Sequence, residues 1–238
     1  MRPKIYLFGD SITEFSFDEG GWGAALANHF ARTVDVVLRG YGGYNTRWAL
    51  KVLEKVFPRV EGGGEPLAVT VFFGANDASL PDRYSAFQHV PLHEYKHNLH
   101  SIVSFLKKQW PKTQILLITP PPIDENGRLR NPYSENPVTQ PERTNEAAGA
   151  YAKACIAVAE ECGIPVLDLW TKMQQFPDWE NAYLRDGLHL TPSGNRLVFE
   201  ELVVKLRDEG LSPENLPVDL PLFTEIDVDD PLKFFDKY

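Results

Sequence analysis

Lys4-Ile5-Tyr6-Leu7-Phe8 is a short apolar run that stops at a turn signal, Gly9-Asp10-Ser11-Ile12-Thr13, and gives way to a helical pattern over Trp22 to Ala31. A buried strand that breaks at glycine and feeds a helix is the repeating unit of a parallel sheet. The unit recurs along the chain. Val34 to Leu38, Leu67 to Phe73, Gln114 to Thr119 and Val166 to Leu169 read as further strands. Thr46 to Phe57, Glu94 to Gln109, Glu142 to Cys162 and Ser193 to Glu209 read as helices, and Gly163 is placed to end the third of these. Right-handed strand–helix–strand units give a parallel sheet, and near-continuous apolar strands suit one covered on both faces. The expectation is an α/β chain, a three-layer α/β/α sandwich on a five-stranded parallel sheet. No Gly/Ser-rich or charge-rich linker divides it, so residues 1–210 read as one domain. Residues 211–238, with their prolines, read as an extended tail lying on that domain or on a partner subunit. Asp124 to Pro141 reads as a polar, turn-rich excursion.

Composition narrows the partners. A net charge of −9 argues against nucleic acid or an anionic membrane surface. No run approaches the length of a membrane span, and the N-terminal apolar run is too short for a secretory leader. No Asn-x-Ser/Thr sequon occurs. Cys155 and Cys162 stand seven apart in one helical segment, which disfavours pairing. A cytoplasmic protein with no stable membrane anchor is expected. A homodimer is left open.

Four short blocks carry chemistry: Gly9-Asp10-Ser11-Ile12-Thr13, Gly40-Tyr41-Gly42-Gly43, Gly74-Ala75-Asn76-Asp77 and Asp186-Gly187-Leu188-His189. In a parallel sheet, ligands bind beyond the carboxyl ends of the strands. Ser11, Gly43 and Asn76 follow the first three strands, and His189 lies before the last helix, so all four meet at one edge. A serine hydroxyl needs an adjacent base to attack, and histidine suits that role near neutral pH. Asp186, three residues before His189, can orient the ring and stabilise it when charged. The N–H groups of Ser11 and Gly43 and the amide of Asn76 can receive a developing oxyanion. Each block alone has a plainer account: a helix cap at Ser11 or at Asp186–His189, tight turns at Gly42-Gly43 and Asn76-Asp77. Together they point to acyl transfer. Asp10, Phe15 and Pro121, close to the same edge in sequence, are expected to line the substrate pocket. Trp22 is expected in the core.

The four blocks resemble the SGNH hydrolases, or GDSL esterases and lipases, whose name-giving residues here would be Ser11, Gly43, Asn76 and His189. Ile12 stands where the first block often has leucine. The second block, with Thr46-Arg47-Trp48-Ala49-Leu50 after it, is most similar to the isoamyl acetate-hydrolysing esterase branch. The resemblance implies a flavodoxin-like strand order 2-1-3-4-5, an acyl-serine intermediate, no metal or other cofactor, and small, acetate-like ester substrates. Carbohydrate O-deacetylase, thioesterase and lysophospholipase activities fit the same site. A catalytically silent binding protein of this fold is the non-enzyme alternative.

One motif competes. His93-Glu94-Tyr95-Lys96-His97 matches the two-histidine helix signature of zinc proteases. Asn98-Leu99-His100 does not continue it with the usual third ligand, and a solvated helix face is expected. The end of the chain, Asp227 to Tyr238, mixes acids with Phe234, Phe235 and Tyr238. A surface tail is expected there, with an aromatic clamp near the pocket or on a neighbouring subunit as the alternative.

Overall fold

Parallel strands run in the order β2-β1-β3-β4-β5 in the computed structural model, which describes residues 2–58, 64–132, 138–233 and 235. The strands are β1 (Lys4–Gly9), β2 (Asp35–Gly40), β3 (Ala68–Phe72), β4 (Gln114–Ile118) and β5 (Val166–Leu167). This is the expected five-stranded sheet in the expected order. Register aligns Gly9 with both Gly40 and Phe72, so the first three strands end level and their loops open side by side.

Side chains of the strands alternate between two cores, as the two-residue period requires. Ile5 and Leu7 of β1, Phe72 of β3 and Ile118 of β4 face one side. There they meet Trp22 and Leu26 of α2 (Trp22–His29), Leu169 of α7 (Leu169–Met173), and Val198 and Leu202 of α9 (Pro192–Asp208). Phe8, Val69, Val71 and Leu117 face the other side. They are covered by Leu53 of α3 (Thr46–Val56), Leu99 and Ile102 of α4 (Leu92–Gln109), and Val158 of α6 (Asn145–Cys162). Two helical layers around one sheet complete the sandwich. Gly163, in the left-handed region at φ 60°, ends α6.

Short helices fill the loops. α1 (Ser11–Glu14) follows β1, and α8 (Trp179–Tyr183) precedes the last block. The stretch read as an irregular excursion contains α5 (Glu125–Arg130). Its polar sequence has no amphipathic period, and it is tertiary packing that holds it. Gly127 lies so close to Gly187 that a Cβ there would fall 2.8 Å from the Gly187 Cα. α6 starts at Asn145 instead of Glu142, because the Thr144 hydroxyl caps it by accepting from the Ala147 N–H at 3.1 Å.

The tail is fastened at the edge opposite the four blocks. Asp219 receives Arg2 at 2.7 Å and Arg32 at 3.1 Å, next to the starting ends of β1 and β2. Leu216 packs on the core, while Phe223, Val228 and Leu232 are exposed. Phe234 and Tyr238 lie outside the described residues. Both cysteines are free thiols. No helix among the described residues is long and apolar enough to cross a membrane.

Candidate active site

The chain from Gly9 to Glu14 makes a single helical turn, and Asp10, not Ser11, caps it. The Asp10 carboxylate accepts from the Ile12 N–H at 3.0 Å, which leaves the Ser11 hydroxyl free to point outward. That hydroxyl lies 2.9 Å from His189 Nε2. His189 Nδ1 lies 2.7 Å from Asp186 Oδ2, and Asp186 Oδ1 accepts from the backbone N–H of Leu188 at 3.0 Å and of His189 at 2.7 Å. Asp186 and His189 therefore do not cap the last helix. Thr191 does that by accepting from Gly194 at 3.1 Å. Burial alone would raise the Asp186 carboxyl, but the His189 ring and the two backbone N–H groups outweigh it and hold the acid well below its usual range. It stays ionised and keeps the Nδ1 proton on the ring, so Nε2 faces the serine as an acceptor.

Gly43 sits in the left-handed region at φ 76°. Its carbonyl accepts from Gln88 Nε2 at 2.9 Å. The Ser11 and Gly43 N–H groups have no intramolecular acceptor among the described residues. The Asn76 Nδ2 group donates to the Tyr44 carbonyl at 2.9 Å, which leaves its second hydrogen available. Asn76 Oδ1 accepts from Arg143 Nη2 at 2.9 Å and Gln88 Nε2 at 3.2 Å, so the amide cannot turn over. Among the described residues, three donors with no further protein partner thus line the space beside the serine.

That space is a cavity of about 530 Å³ lined by Ser11, Phe15, Gly43, Asn76, Phe87 and His189, among others. Phe15 stands edge-on to the His189 ring at 5.6 Å and lies under the Arg185 guanidinium. Phe87 is 69% exposed and stacks on Trp48 at the mouth. Two residues expected in the lining are elsewhere. Asp10 is buried beneath α1, with one carboxylate oxygen capping that turn. Pro121, three residues past the end of β4, is buried and is not among the residues lining the cavity. Trp22 is fully buried and donates to the Ile12 carbonyl at 3.1 Å, pinning the serine turn to α2.

Residues that sequence reasoning missed lie one layer back: Gln88, Arg128, Glu142 and Arg143, all buried. A cluster of ionic residues flanking a turn-rich stretch just after a strand's functional end was the available signal. On the competing motif, His93 and His97 are exposed and Glu94 is held by both arms of Arg47 at 2.6 and 2.7 Å.

Asp10 and Asp77 form a second acidic feature. Burial pushes both carboxyls up to about 7, and for Asp10 the neighbouring Asp77 charge adds to the rise. Asp77 accepts from the Thr46 N–H at 3.0 Å and also from its hydroxyl, tying the third block to the start of α3. The unfolded chain releases these protons near 3.8, whereas the folded chain holds them to about 7. Their contribution to stability is therefore full below pH ~4 and lost as pH rises towards ~7. Asp77→Asn removes one titrating group. Thermal unfolding across pH 4–8 should show the wild type losing ground against this variant through that window. A constant difference would overturn the assignment.

The chain as a whole is similar to known proteins. Residues 5–202 match the GDSL-like lipase/acylhydrolase family. A GDSL esterase/lipase of Arabidopsis thaliana is 67% identical over 240 residues, covering 100% of both chains. The isoamyl acetate-hydrolyzing esterase 1 homolog of Homo sapiens is 44% identical over 230 residues, covering 95% of this chain and 89% of that one. Among solved structures, a lipase/acylhydrolase from Enterococcus faecalis matches with a TM-score of 0.68 at 28% identity, covering 93% of this chain and 100% of that one. The chain belongs to the GDSL-like lipase/acylhydrolase family and is a carboxylic ester hydrolase.

Proposed function

We propose that the protein hydrolyses small, short-chain, acetate-like esters through an acyl-serine intermediate. The observation that carries the mechanism is the unbroken chain from Ser11 Oγ to His189 Nε2 at 2.9 Å and from His189 Nδ1 to Asp186 at 2.7 Å, opening into a cavity with three available donors. The substrate class rests on similarity to the isoamyl acetate-hydrolyzing esterase homolog.

In this mechanism His189 takes the Ser11 proton as the oxygen attacks the ester carbonyl. The carbonyl oxygen gains charge and is received by the N–H groups of Ser11 and Gly43 and by Asn76 Nδ2. The tetrahedral intermediate collapses, the carbon–oxygen bond to the alcohol breaks, and His189 returns the proton to the leaving oxygen. Water then attacks the acyl-serine, with His189 again as base, and the acid departs. Asp186 stays ionised throughout and stabilises the charged ring.

Asn76→Ala removes one oxyanion donor and should lower kcat by about 10²–10³-fold with little change in KM. Steady-state kinetics on p-nitrophenyl acetate check this, and an equal fall spread into KM would argue for a ground-state role instead.

The deciding experiment is hydrolysis of p-nitrophenyl acetate through octanoate, with intact mass after treatment with a serine-directed organophosphonate. A single adduct on Ser11, loss of turnover and a profile falling from acetate upward are expected. Turnover rising with chain length would replace the short-chain assignment by a lipase-like one. The exposed Phe87 stacked on Trp48 beside the cavity favours a second reading, a carbohydrate O-deacetylase, since aromatic faces stack on sugar rings. Acetylated xylo-oligosaccharides belong in the same panel.

A further inference from the structure

A fully buried Arg128–Glu142–Arg143 triad joins the two halves of the site. Both guanidinium groups bond the same oxygen, Glu142 Oε1: Arg128 Nε at 2.8 Å and Arg143 Nη1 at 2.7 Å. None of the three is more than 1% exposed. Burial opposes the Glu142 charge, but Arg143 and then Arg128 outweigh it and hold the carboxyl below its usual range, so the triad carries three charges.

Each arginine then reaches a different part of the machinery. Arg143 Nη2 donates to Asn76 Oδ1 and to Gln88 Oε1, each at 2.9 Å, and its Nε donates to the Ala75 carbonyl at 2.8 Å. Gln88 passes the restraint on to the Gly43 carbonyl at 2.9 Å. Arg128 Nη1 donates to the Asp186 carbonyl at 2.8 Å and lies 3.6 Å from Asp186 Oδ2. The Asp186 loop rests on the helix that bears Arg128, with the Asp124 N–H donating to the Gly187 carbonyl at 3.0 Å.

We propose that Glu142 is a positioning residue shared by the oxyanion hole and the catalytic acid, setting the Asn76 amide through Arg143 and the Asp186 carboxylate through Arg128. The inference rests on the esterase mechanism above. A buried ion pair is a poor source of stability compared with apolar packing, but the hydrogen bonds its arginines make to Asn76, Gln88, Ala75 and Asp186 fix geometry. Here the fixed geometry is functional. The guanidinium on Oδ1 decides which face of the Asn76 amide meets the substrate, and the second arginine decides where the acid stands behind the histidine. A displacement of about 1 Å at such groups costs on the order of 10²-fold in rate.

The test is Glu142→Gln, which keeps the shape and removes the charge, measured beside Glu142→Asp and the wild type at a temperature where all are folded by circular dichroism. Glu142→Gln should lower kcat at least 30-fold with KM within threefold. Its affinity for a boronic acid, which mimics the tetrahedral intermediate, should fall by a similar factor. Glu142→Asp, which restores the charge, should recover part of both. A purely structural triad would lower the melting temperature and leave kcat and boronate affinity within threefold of wild type, and that result would overturn the proposal. Should Glu142→Gln not fold, Arg143→Lys and Arg128→Lys replace it. Arg143→Lys should weaken boronate binding, and Arg128→Lys should shift the acid limb of the kcat/KM profile. Both variants behaving as wild type would overturn the proposal. Wild-type inactivity on every ester would overturn the esterase mechanism itself.

Discussion

Ser11→Ala is expected to abolish ester hydrolysis, lowering kcat by at least 10⁴-fold, on the scale seen when the nucleophile of a serine hydrolase is removed. The fold should not notice. Ser11 is half-buried at the cavity wall, its hydroxyl bonds only His189 among the described residues, and the turn it occupies is capped by Asp10. The lost group is one methyl-sized hydroxyl at a surface open to water, so the melting temperature should move by less than about 2 °C. Circular dichroism melts and p-nitrophenyl acetate turnover on the same sample check both halves. Substantial turnover in the variant would mean that the nucleophile is another group or a water activated directly by His189. A cold melt would mean that Ser11 is structural.

Gly40→Ala should do the reverse and break the fold at the same place. A Cβ on Gly40 would sit 2.1 Å from the Glu14 nitrogen, 2.3 Å from its Cα and 2.6 Å from the Thr13 carbonyl carbon. These are backbone atoms of α1 and cannot swing aside. Gly40 is paired in register with Gly9, and the Tyr41 N–H donates to the Gly9 carbonyl at 2.9 Å, so β2 cannot retreat without losing its place in the sheet. The Glu14 carboxylate also receives the Gly42 N–H at 2.6 Å, locking the second block to the first. Overpacking of this severity should cost about 3 kcal/mol or more, a fall of roughly 6–12 °C in melting temperature for a chain of this size. Gly64→Ala, with none of the described residues within 4 Å of the added Cβ, is the control and should melt with the wild type. Equal melting of the two variants would show that the contact between α1 and β2 is looser than described.

These two outcomes separate what the sequence makes readable from what it hides. The strands were legible because their apolar runs alternate between two buried faces, and the sheet places the ends of β1, β2 and β3 level. Once that was read, the convergence of Ser11, Gly43 and Asn76 followed from topology. Asp10 and Pro121 were misplaced because proximity in sequence to a functional edge does not say which way a side chain turns. Asp10 turned inward to cap the serine turn, and Pro121 is buried instead of lining the cavity. α5 was hidden because six residues with a single apolar side chain, Leu129, have no helical period of their own. The triad of Arg128, Glu142 and Arg143 was hidden for a stronger reason. Long charged residues belong at the surface unless partnered, and although Arg143 adjoins Glu142, Arg128 lies 14 residues from Glu142 and 58 from the Asp186 carboxylate. Only the folded arrangement brings the neutralising charges together.

The wall around Phe87 has a practical meaning for redesign. Ser85 and Gln88 on either side of it are buried, and Gln88 is tied to Gly43, so the segment is riveted at both ends. Phe87 itself projects into solvent with Trp48 as its ring partner. The pocket's reach can thus be retuned at a single side chain whose replacement disturbs neither core, which makes position 87 the natural place to begin a saturation library aimed at larger alcohols or longer acyl chains.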